Sequence, residues 1–342
     1  MAKSKEIAGL DCTASANAGI RLVLRSRLEE ILTFREAALD WNNSEGVHDM
    51  RVASRRLRNA IRDFSPYLRK RKLQYPQSDL KSLADALGAV RDQDVAIMAL
   101  ENLAAEASAE VSAGIEEILN DRRLKRQGAR AKLEVALEEE ALNKMRAELN
   151  AAFDRALRAS RRRMRKGDGR TLAESITFRQ IGSDILAARL DELDDLSTAL
   201  YRPLKTRPLH KMRLAAKRLR YAIELFSPCW IEPLAPFSKS IAKLQTSLGE
   251  LNDCDVWIAD LASMLPDCEE SPGAEYSQKR NAALWMLDHF VGERTSHFRS
   301  GLMRWHEWDR TAFLSTLSDI VDDRPPALGT ERSGNRETSI DL

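Results

Sequence analysis

A histidine and a row of basic side chains occur twice in this sequence, each time at intervals of three or four residues. The two sets are His48, Arg51, Arg55, Arg58 and Arg62, and His210, Arg213, Lys217 and Arg220. Because these intervals return to one face of an α-helix, each set predicts a stripe of cations along a helix. Guanidinium groups match phosphate oxygens with paired hydrogen bonds, and an imidazole donates from one nitrogen when neutral and from both when protonated. The pattern indicates a surface that binds a phosphate-bearing anion.

These residues also have ordinary structural interpretations. A single histidine near a helix start is often buried and hydrogen-bonded, and a row of arginines is often an exposed helix face with salt bridges. The histidine stands three residues before an arginine in both sets, and few acids share the face of the arginines, which favours anion binding. Arg56 and Arg218 point further round the helix, so they bind either the anion or structural acids.

The basic stripes belong to a longer internal repeat. The segment VHDMRVASRRLRNAIRDF, residues 47–64, returns as LHKMRLAAKRLRYAIELF, residues 209–226, and Ser-Pro follows both copies. Apolar residues form a second stripe beside the cations in each copy, with Val47, Met50 and Leu57 in the first. The repeat therefore predicts two helices that pack on a core and carry cations at its edge.

Acid pairs follow each repeated segment, Asp92 with Asp94 and Asp253 with Asp255. Paired carboxylates suit a metal or catalytic site, but each half offers only one pair. We expect these acids to hold the arginines of the repeated segments in position. Gly88 and Gly249, just before them, are expected to permit close approach of helices.

Basic residues elsewhere are predicted to line the same surface. They come from the first helix, from a charged helix near residue 120 and from the last third of the chain: Arg21, Arg25, Arg122, Arg126 and Lys279. A metal site is not predicted.

Composition limits the function classes. The 342 residues carry a net charge of +2, so attraction to a polyanion must come from local clusters, such as the nine Arg or Lys against two Asp in residues 47–72. Four cysteines without CxxC spacing disfavour zinc and, as free thiols, suit a reducing cytosol. The start lacks an apolar signal region and no apolar run reaches 18 residues, so a cytoplasmic protein that does not cross a membrane is expected.

The pattern of apolar residues predicts an all-α protein of two up-down bundles, each of about four long helices, related by internal pseudo-two-fold symmetry. We expect a disordered start at residues 1–14, a first bundle at 15–166, a break at Lys166-Gly167-Asp168-Gly169, a second bundle at 171–310 and a disordered tail at 324–342. The first helix is predicted from Ala18 to Trp41. The last two are predicted from Tyr276 to Phe290 and from Glu293 to Trp308.

VHDMRVASRRLR and LHKMRLAAKRLRY, together with LGAVRDQDV at 87–95 and LGELNDCDV at 248–256, resemble the motifs of the CHAD family, the conserved histidine α-helical domain. The resemblance covers residues 15 to 310. It implies two helical bundles that bind inorganic polyphosphate in a basic central channel. Some relatives carry a triphosphate tunnel domain in front of the helices. No ExExK pattern of such a domain occurs here, so no hydrolase activity is expected.

The predicted function is therefore non-catalytic binding of inorganic polyphosphate, without a cofactor, with targeting to polyphosphate granules as one role. Two alternatives remain, a histidine phosphotransfer protein and a module that binds single-stranded nucleic acid. Nucleic acid is disfavoured because aromatic residues do not alternate with the cations and the net charge is near zero. The oligomeric state is left open.

Overall fold

A computed structural model describes the backbone of residues 6–164, 176–270 and 274–322, and the side chains of residues 6–157, 176–265 and 278–322. Within these ranges the protein is all-α, as predicted, and its β-type pairing is an isolated bridge between Ser15 and Thr177. The predicted break at residues 166–169 and the predicted tail at 324–342 lie outside the described residues.

Six helices precede the undescribed linker and five follow it in the part of the chain that the structure describes. The first six are α1 (Ala16–Leu32), α2 (Arg35–Leu39), α3 (Ser44–Asp63), α4 (Pro76–Glu106), α5 (Ala109–Ala136) and α6 (Glu139–Met164). The others are α7 (Phe178–Asp195), α8 (Thr206–Phe226), α9 (Ala235–Glu270), α10 (Ala274–Arg310) and α11 (Phe313–Val321). The two repeated segments form α3 and α8.

Local sequence signals account for several helix starts. The side chain of Asn43 accepts a hydrogen bond from the backbone N–H of Glu45 and caps α3. Thr177 and Gln180 form a reciprocal capping box at α7. Pro76 stands in the first turn of α4, where its missing N–H would have no helical partner.

Two predicted helix boundaries are wrong. The helix predicted from Ala18 to Trp41 ends at Leu32, where the hydroxyl of Thr33 donates to the carbonyl of Glu30, and a short second helix follows. The two helices predicted after Tyr276 form the single helix α10. Buried residues on both sides of Gly292, including Met286 and Trp305, pack α10 over most of its length, which outweighs the roughly 1 kcal/mol cost of one glycine.

The two halves share one hydrophobic core. Phe64, Phe178 and Phe226 meet at its centre, with ring centroids 5.1 to 6.1 Å apart, and all three are fully buried. A Cβ at Gly19 would lie 2.2 Å from the ring of Phe178, so α1 and α7 pack this closely only because glycine stands there. The core therefore joins the halves across the helices that carry the repeated cations.

A second apolar cluster lies where the outer parts of α4, α5, α9 and α10 meet. It contains Leu100 and Ile118 from the first half and Leu261 and Met286 from the second. Burial of these side chains holds the far ends of the long helices together.

Residues 6 to 14, which the composition predicts to be disordered, instead form turns and pack on the second half. Ile7 is buried, and the backbone N–H groups of Phe178 and Arg179 donate to the carbonyls of Ala14 and Cys12. Cys12 forms a disulfide with Cys229, 217 residues away. The prediction of free thiols is wrong for this pair, so the cysteines no longer support a reducing compartment.

Reduction of the disulfide is expected to destabilise the fold by about 2–4 kcal/mol, because the bond restricts the unfolded chain. Urea unfolding followed by circular dichroism, with and without reductant, measures the change. A Cys12→Ser, Cys229→Ser variant should have the stability of the reduced parent, and reductant should not change it. An unchanged midpoint in the reduced parent would contradict the expectation.

No helix among the described residues combines the length and apolar character that crossing a membrane requires.

Candidate anion-binding site

Helices α3 and α8 position the predicted site. Each buries an apolar face, with Met50 and Leu57 on α3 and Met212 and Leu219 on α8 all fully buried. The two helices also contact each other. Since a basic stripe lies beside each apolar face, the contact brings cations from both helices to the edge of the shared core.

Five cations from the two helices form what we call the central cluster: Arg51, Arg55, Arg213, Lys217 and Arg220. Burial and the charges of the four arginines together lower the pKa of Lys217 to about 7. Burial also lowers the pKa of Arg55, and the charges of Arg51, Arg220 and Arg213 add to this effect. The predicted stripes therefore converge, and each member of the cluster raises the cost of charging its neighbours.

Tyr221 lies inside the central cluster. The guanidinium carbon of Arg220 is 5.0 Å from the centroid of its ring and that of Arg55 is 5.9 Å away. The ring is buried, and its negative face offsets part of the repulsion between the two guanidinium groups. Tyr221 is not among the residues predicted for the site, because the first copy of the repeat has Asn59 at the equivalent position.

Carboxylates lie against three members of the cluster. Asp92 is 3.3 Å from Arg51 and Asp253 is 4.0 Å from Arg213, which confirms the predicted role of these acids in holding the arginines. Glu224 lies 3.6 Å from Arg220. In the described part of the chain no carboxylate lies within 4.0 Å of Arg55 or Lys217, so the middle of the cluster keeps unneutralised charge.

The second acid of each predicted pair faces a different helix. Asp94 accepts a hydrogen bond from Arg126 of α5 at 3.4 Å, and Asp255 accepts one from Arg294 of α10 at 2.6 Å. These contacts tie each acid-bearing helix to its outer neighbour. The prediction that both acids of a pair hold repeated-segment arginines is therefore right for one and wrong for the other.

Gly88 and Gly249 lie beneath the cluster arginines. A Cβ at Gly88 would lie 3.8 Å from Nε of Arg51, and one at Gly249 would lie 3.6 Å from Nε of Arg213. Both distances are ordinary contacts, and no other helix lies within 4 Å. These glycines therefore do not serve the close helix approach that was expected.

Replacing both glycines by alanine is expected to stabilise the protein by about 1–2 kcal/mol, because each alanine favours the helix by up to about 1 kcal/mol. Thermal or urea unfolding measures the difference. Gly19→Ala provides the contrast and should destabilise, since its Cβ would overlap Phe178. Destabilisation by Gly88→Ala would contradict the expectation.

His48 is partly buried in α3, near Arg91 of α4. Burial and the charge of Arg91 lower its pKa, and Arg55 acts in the same direction, while Glu45 and Asp49 oppose them. The neutral imidazole is therefore favoured in the free protein.

His210 is more exposed than its counterpart. Its Nδ1 lies 2.5 Å from the side-chain oxygen of Asn252, which accepts the hydrogen bond. The two histidines occupy equivalent places in sequence but have different neighbours.

Arg56 and Arg218 point away from the central cluster and pair with acids, the second of the two roles considered for them. Arg56 and Arg27 both donate to Glu30, at 3.2 and 2.6 Å, and all three side chains are buried. In the second half Arg218 and Arg189 donate to Glu192 in the same arrangement.

The predicted cations outside the two repeated segments also have acidic partners. Arg21 and Arg25 lie 3.3 and 3.0 Å from Asp154 of α6. The remaining three, Arg122, Arg126 and Lys279, contact Asp260, Asp94 and Asp121. Arg58 and Arg62 are exposed and line a separate cavity at the end of α3.

In the described residues no group of three or more His, Cys, Asp or Glu could hold a metal ion.

The repeated segments and the acid-bearing motifs also match a known protein family. A family model described as the CHAD domain matches residues 22–262, which include α3, α8 and both acid-bearing motifs. The chain belongs to the CHAD domain family. This confirms the resemblance seen in the repeated segments.

Two solved structures share the fold. The CHAD domain from the plant Ricinus communis is 22% identical, with a TM-score of 0.65, and the match covers 88% of this chain and 96% of that one. PptA from Streptomyces chartreusis is 15% identical, with a TM-score of 0.63, and the match covers 86% of this chain and 100% of that one. The comparison with curated proteins gives no match.

Proposed function

We propose that this CHAD protein binds inorganic polyphosphate non-covalently, with the central cluster as the main contact. The observation that carries the proposal is the convergence of five cations from two repeated helices, with no carboxylate within 4.0 Å of Arg55 or Lys217 in the described residues. Holding such charges together is costly in the free protein. A polyanion offsets that cost by charge-assisted hydrogen bonds and counterion release.

A chain of identical phosphates suits cations presented by two copies of one helix. Two members of the cluster, Arg51 and Arg213, are paired with Asp92 and Asp253, one pair in each half. The buried group around Glu30 likewise recurs as a partly buried group around Glu192. These repeated contacts support the proposed pseudo-two-fold arrangement, in which the two stripes line a basic groove and face one phosphate chain.

Binding without turnover is part of the proposal. The acids that lie against the cluster, Asp92, Asp253 and Glu224, each contact a different arginine. Hydrolysis of a phosphoanhydride with two metal ions needs carboxylates that share one substrate. Incubation with polyphosphate and Mg²⁺ should release no phosphate above the level of a buffer control. If the parent releases phosphate and Asp92→Asn does not, the proposal of binding without turnover is overturned.

The phosphotransfer alternative makes a different prediction for His48. Its imidazole is half-buried beside Arg91 and Arg55, which suits an anion contact better than the docking face of a partner protein. Incubation with acetyl phosphate or a phosphorylated response regulator should leave no acid-labile phosphate on His48. A stable phosphohistidine there would favour the alternative.

Nucleic acid is the second alternative, and a competition experiment separates it. The aromatic residue of the cluster, Tyr221, is buried between two arginines, so its ring is not free to stack on bases. Long polyphosphate should displace labelled single-stranded RNA at matched phosphate concentration, and RNA should not displace polyphosphate. The reverse ranking would make nucleic acid the ligand. Targeting to polyphosphate granules in the cytoplasm is the cellular role we propose for such binding.

A further inference from the structure

A second concavity lies at the C-terminal end of α3, and we call it the basic pocket. It has a volume of about 680 Å³ and is bordered by α3, the connection after it and the start of α4. Its lining includes five cations: Arg58 and Arg62, Lys70 and Arg71, and Lys81. The size is within the usual range for small-molecule sites.

The charge of the basic pocket is not balanced locally. No acidic residue is among its lining residues, and none of its five cations has a carboxylate within 4.0 Å in the described part of the chain. Partial loss of hydration of the guanidinium and the charge of Arg218 lower the pKa of Arg62, and Arg189 and Arg58 add to the effect, against the opposing charge of Asp63. An exposed helix with scattered charges would mix signs, whereas here cations from three segments face one cavity.

Arg58 corresponds to Arg220 in the second half, but three other cations of the pocket, Arg62, Lys70 and Arg71, have no basic counterpart there. Arg62 corresponds to Glu224 of the second repeat, and the run Arg69-Lys70-Arg71-Lys72 that follows Ser65-Pro66 is replaced after Ser227-Pro228 by Ile231-Glu232-Pro233-Leu234. Packing of the repeated fold therefore does not require them. The first half carries a basic surface that its counterpart lacks.

We propose that the basic pocket binds an oligophosphate, meaning an anion with several linked phosphoryl groups. Five cations spread over 680 Å³ exceed what one monovalent anion could neutralise, and guanidinium and ammonium groups both suit phosphoryl oxygens. The side chains of Ser65, Gln74 and Gln77 supply neutral donors in the same lining. The apolar lining residues are aliphatic and offer no ring on which a base could stack.

Two kinds of phosphate chain could occupy the basic pocket. A separate short oligophosphate could occupy the pocket, or the pocket could hold the continuing part of a long chain bound at the central cluster. Arg58 follows Arg55 by three residues, a rise of about 4.5 Å along the helix, so a long chain could reach both.

Calorimetric titration with inorganic tripolyphosphate and with long-chain polyphosphate tests the proposal. The pocket variant is Lys70→Ala, Arg71→Ala, Lys81→Ala, at three exposed positions outside the central cluster. The control variant removes the same charge at three exposed lysines elsewhere, Lys132→Ala, Lys144→Ala, Lys239→Ala. We expect the pocket variant to lose one tripolyphosphate site, or to bind it at least about tenfold more weakly than the control.

The two kinds of phosphate chain give different results. Loss of a tripolyphosphate site shows a separate short ligand, whereas an unchanged tripolyphosphate titration with long-chain binding weakened at least about fivefold relative to the control shows a continuing chain. Equal behaviour of pocket and control variants with both ligands would overturn the proposal. A third variant, Arg51→Ala, Arg55→Ala, Arg213→Ala, tests the central cluster by itself, so failure there is seen separately from failure of the basic pocket.

Discussion

Replacing Arg51, Arg55, Arg213 and Lys217 together by alanine is expected to weaken long-chain polyphosphate binding by at least about 1,000-fold. Each charge-assisted hydrogen bond contributes roughly 1.5–3 kcal/mol, and even strongly non-additive losses over four cations reach about 4 kcal/mol. The free protein should keep its helicity and gain stability, because the substitutions relieve repulsion within the cluster. Calorimetry or fluorescence anisotropy measures the affinity, and circular dichroism checks the fold.

The salt dependence provides an independent readout. Binding by the parent should fall steeply as salt rises, and the slope of log affinity against log salt should become shallower by the number of phosphate contacts removed. The variant Lys132→Ala, Lys144→Ala, Lys239→Ala loses three charges at exposed positions away from the cluster and should bind within a few-fold of the parent. If this control variant and the cluster variant lose affinity equally, net charge and not the cluster governs binding.

Lys217 should make polyphosphate binding depend on pH. Its pKa in the free protein is about 7, and a bound polyanion raises that pKa by reversing the local field. By linkage, binding then takes up protons and is tighter to the protonated protein. We expect affinity to rise at least about tenfold between about pH 9 and about pH 6, where the cluster becomes fully charged. Calorimetry in buffers of different ionisation enthalpy measures the proton uptake directly.

Lys217→Met tests this mechanism, because methionine has a similar shape without the charge. The variant should bind weakly at pH 6 and lose most of the pH dependence. His48→Gln is the matched control: burial and Arg91 hold the pKa of His48 below 6.5, so this variant should keep the slope above pH 7. If the Lys217→Met variant keeps the full dependence of affinity on pH, that dependence comes from another group.

The lowered pKa of Lys217 also makes the stability of the fold depend on pH. The pKa of Lys217 is lower in the folded protein than the ordinary lysine value of 10.5, so its stabilising contribution is complete above about pH 10.5 and is lost as pH falls to about 7. At pH 6 the native state must hold the ammonium among four guanidinium groups. Lys217→Met should therefore stabilise the fold at pH 6 by on the order of 2–4 kcal/mol, and the gain should shrink as pH rises. Urea unfolding at pH 6 and pH 9 measures both values.

Helix positions were predictable because the signals are local. The segment predicted from Val47 to Phe64 forms a helix from Ser44 to Asp63, and the second copy, predicted from Leu209 to Phe226, forms a helix from Thr206 to Phe226. An apolar stripe, a cap or a proline acts within one or two turns, so a short window of sequence contains it. The continuous helix α10 was not predictable in this way, because distant packing outweighs its internal glycine.

The disulfide between Cys12 and Cys229, in contrast, could not be predicted from the sequence. Nothing in the spacing of Cys12 and Cys229 indicates that they meet, since a disulfide depends on the distance between two chain segments in the folded state. The predicted disorder of residues 6 to 14 fails for the same reason. Their polar composition disfavours an independent fold, but the disulfide and the contacts with α7 hold them in place.

By itself, the sequence determined that two helices carry cations in the same pattern, since 3.6 residues per turn place every third or fourth side chain on one face. The tertiary structure alone decided which cations act together. Arg55 and Arg56 are adjacent in sequence, yet a rotation of about 100° sends Arg55 toward Lys217 and Arg56 toward the buried Glu30. Arg58 has the same spacing as its repeat counterpart Arg220, but it lines the basic pocket while Arg220 lies against Tyr221. Spacing places a charge on a helix face, whereas its role depends on which partners other helices bring to that face.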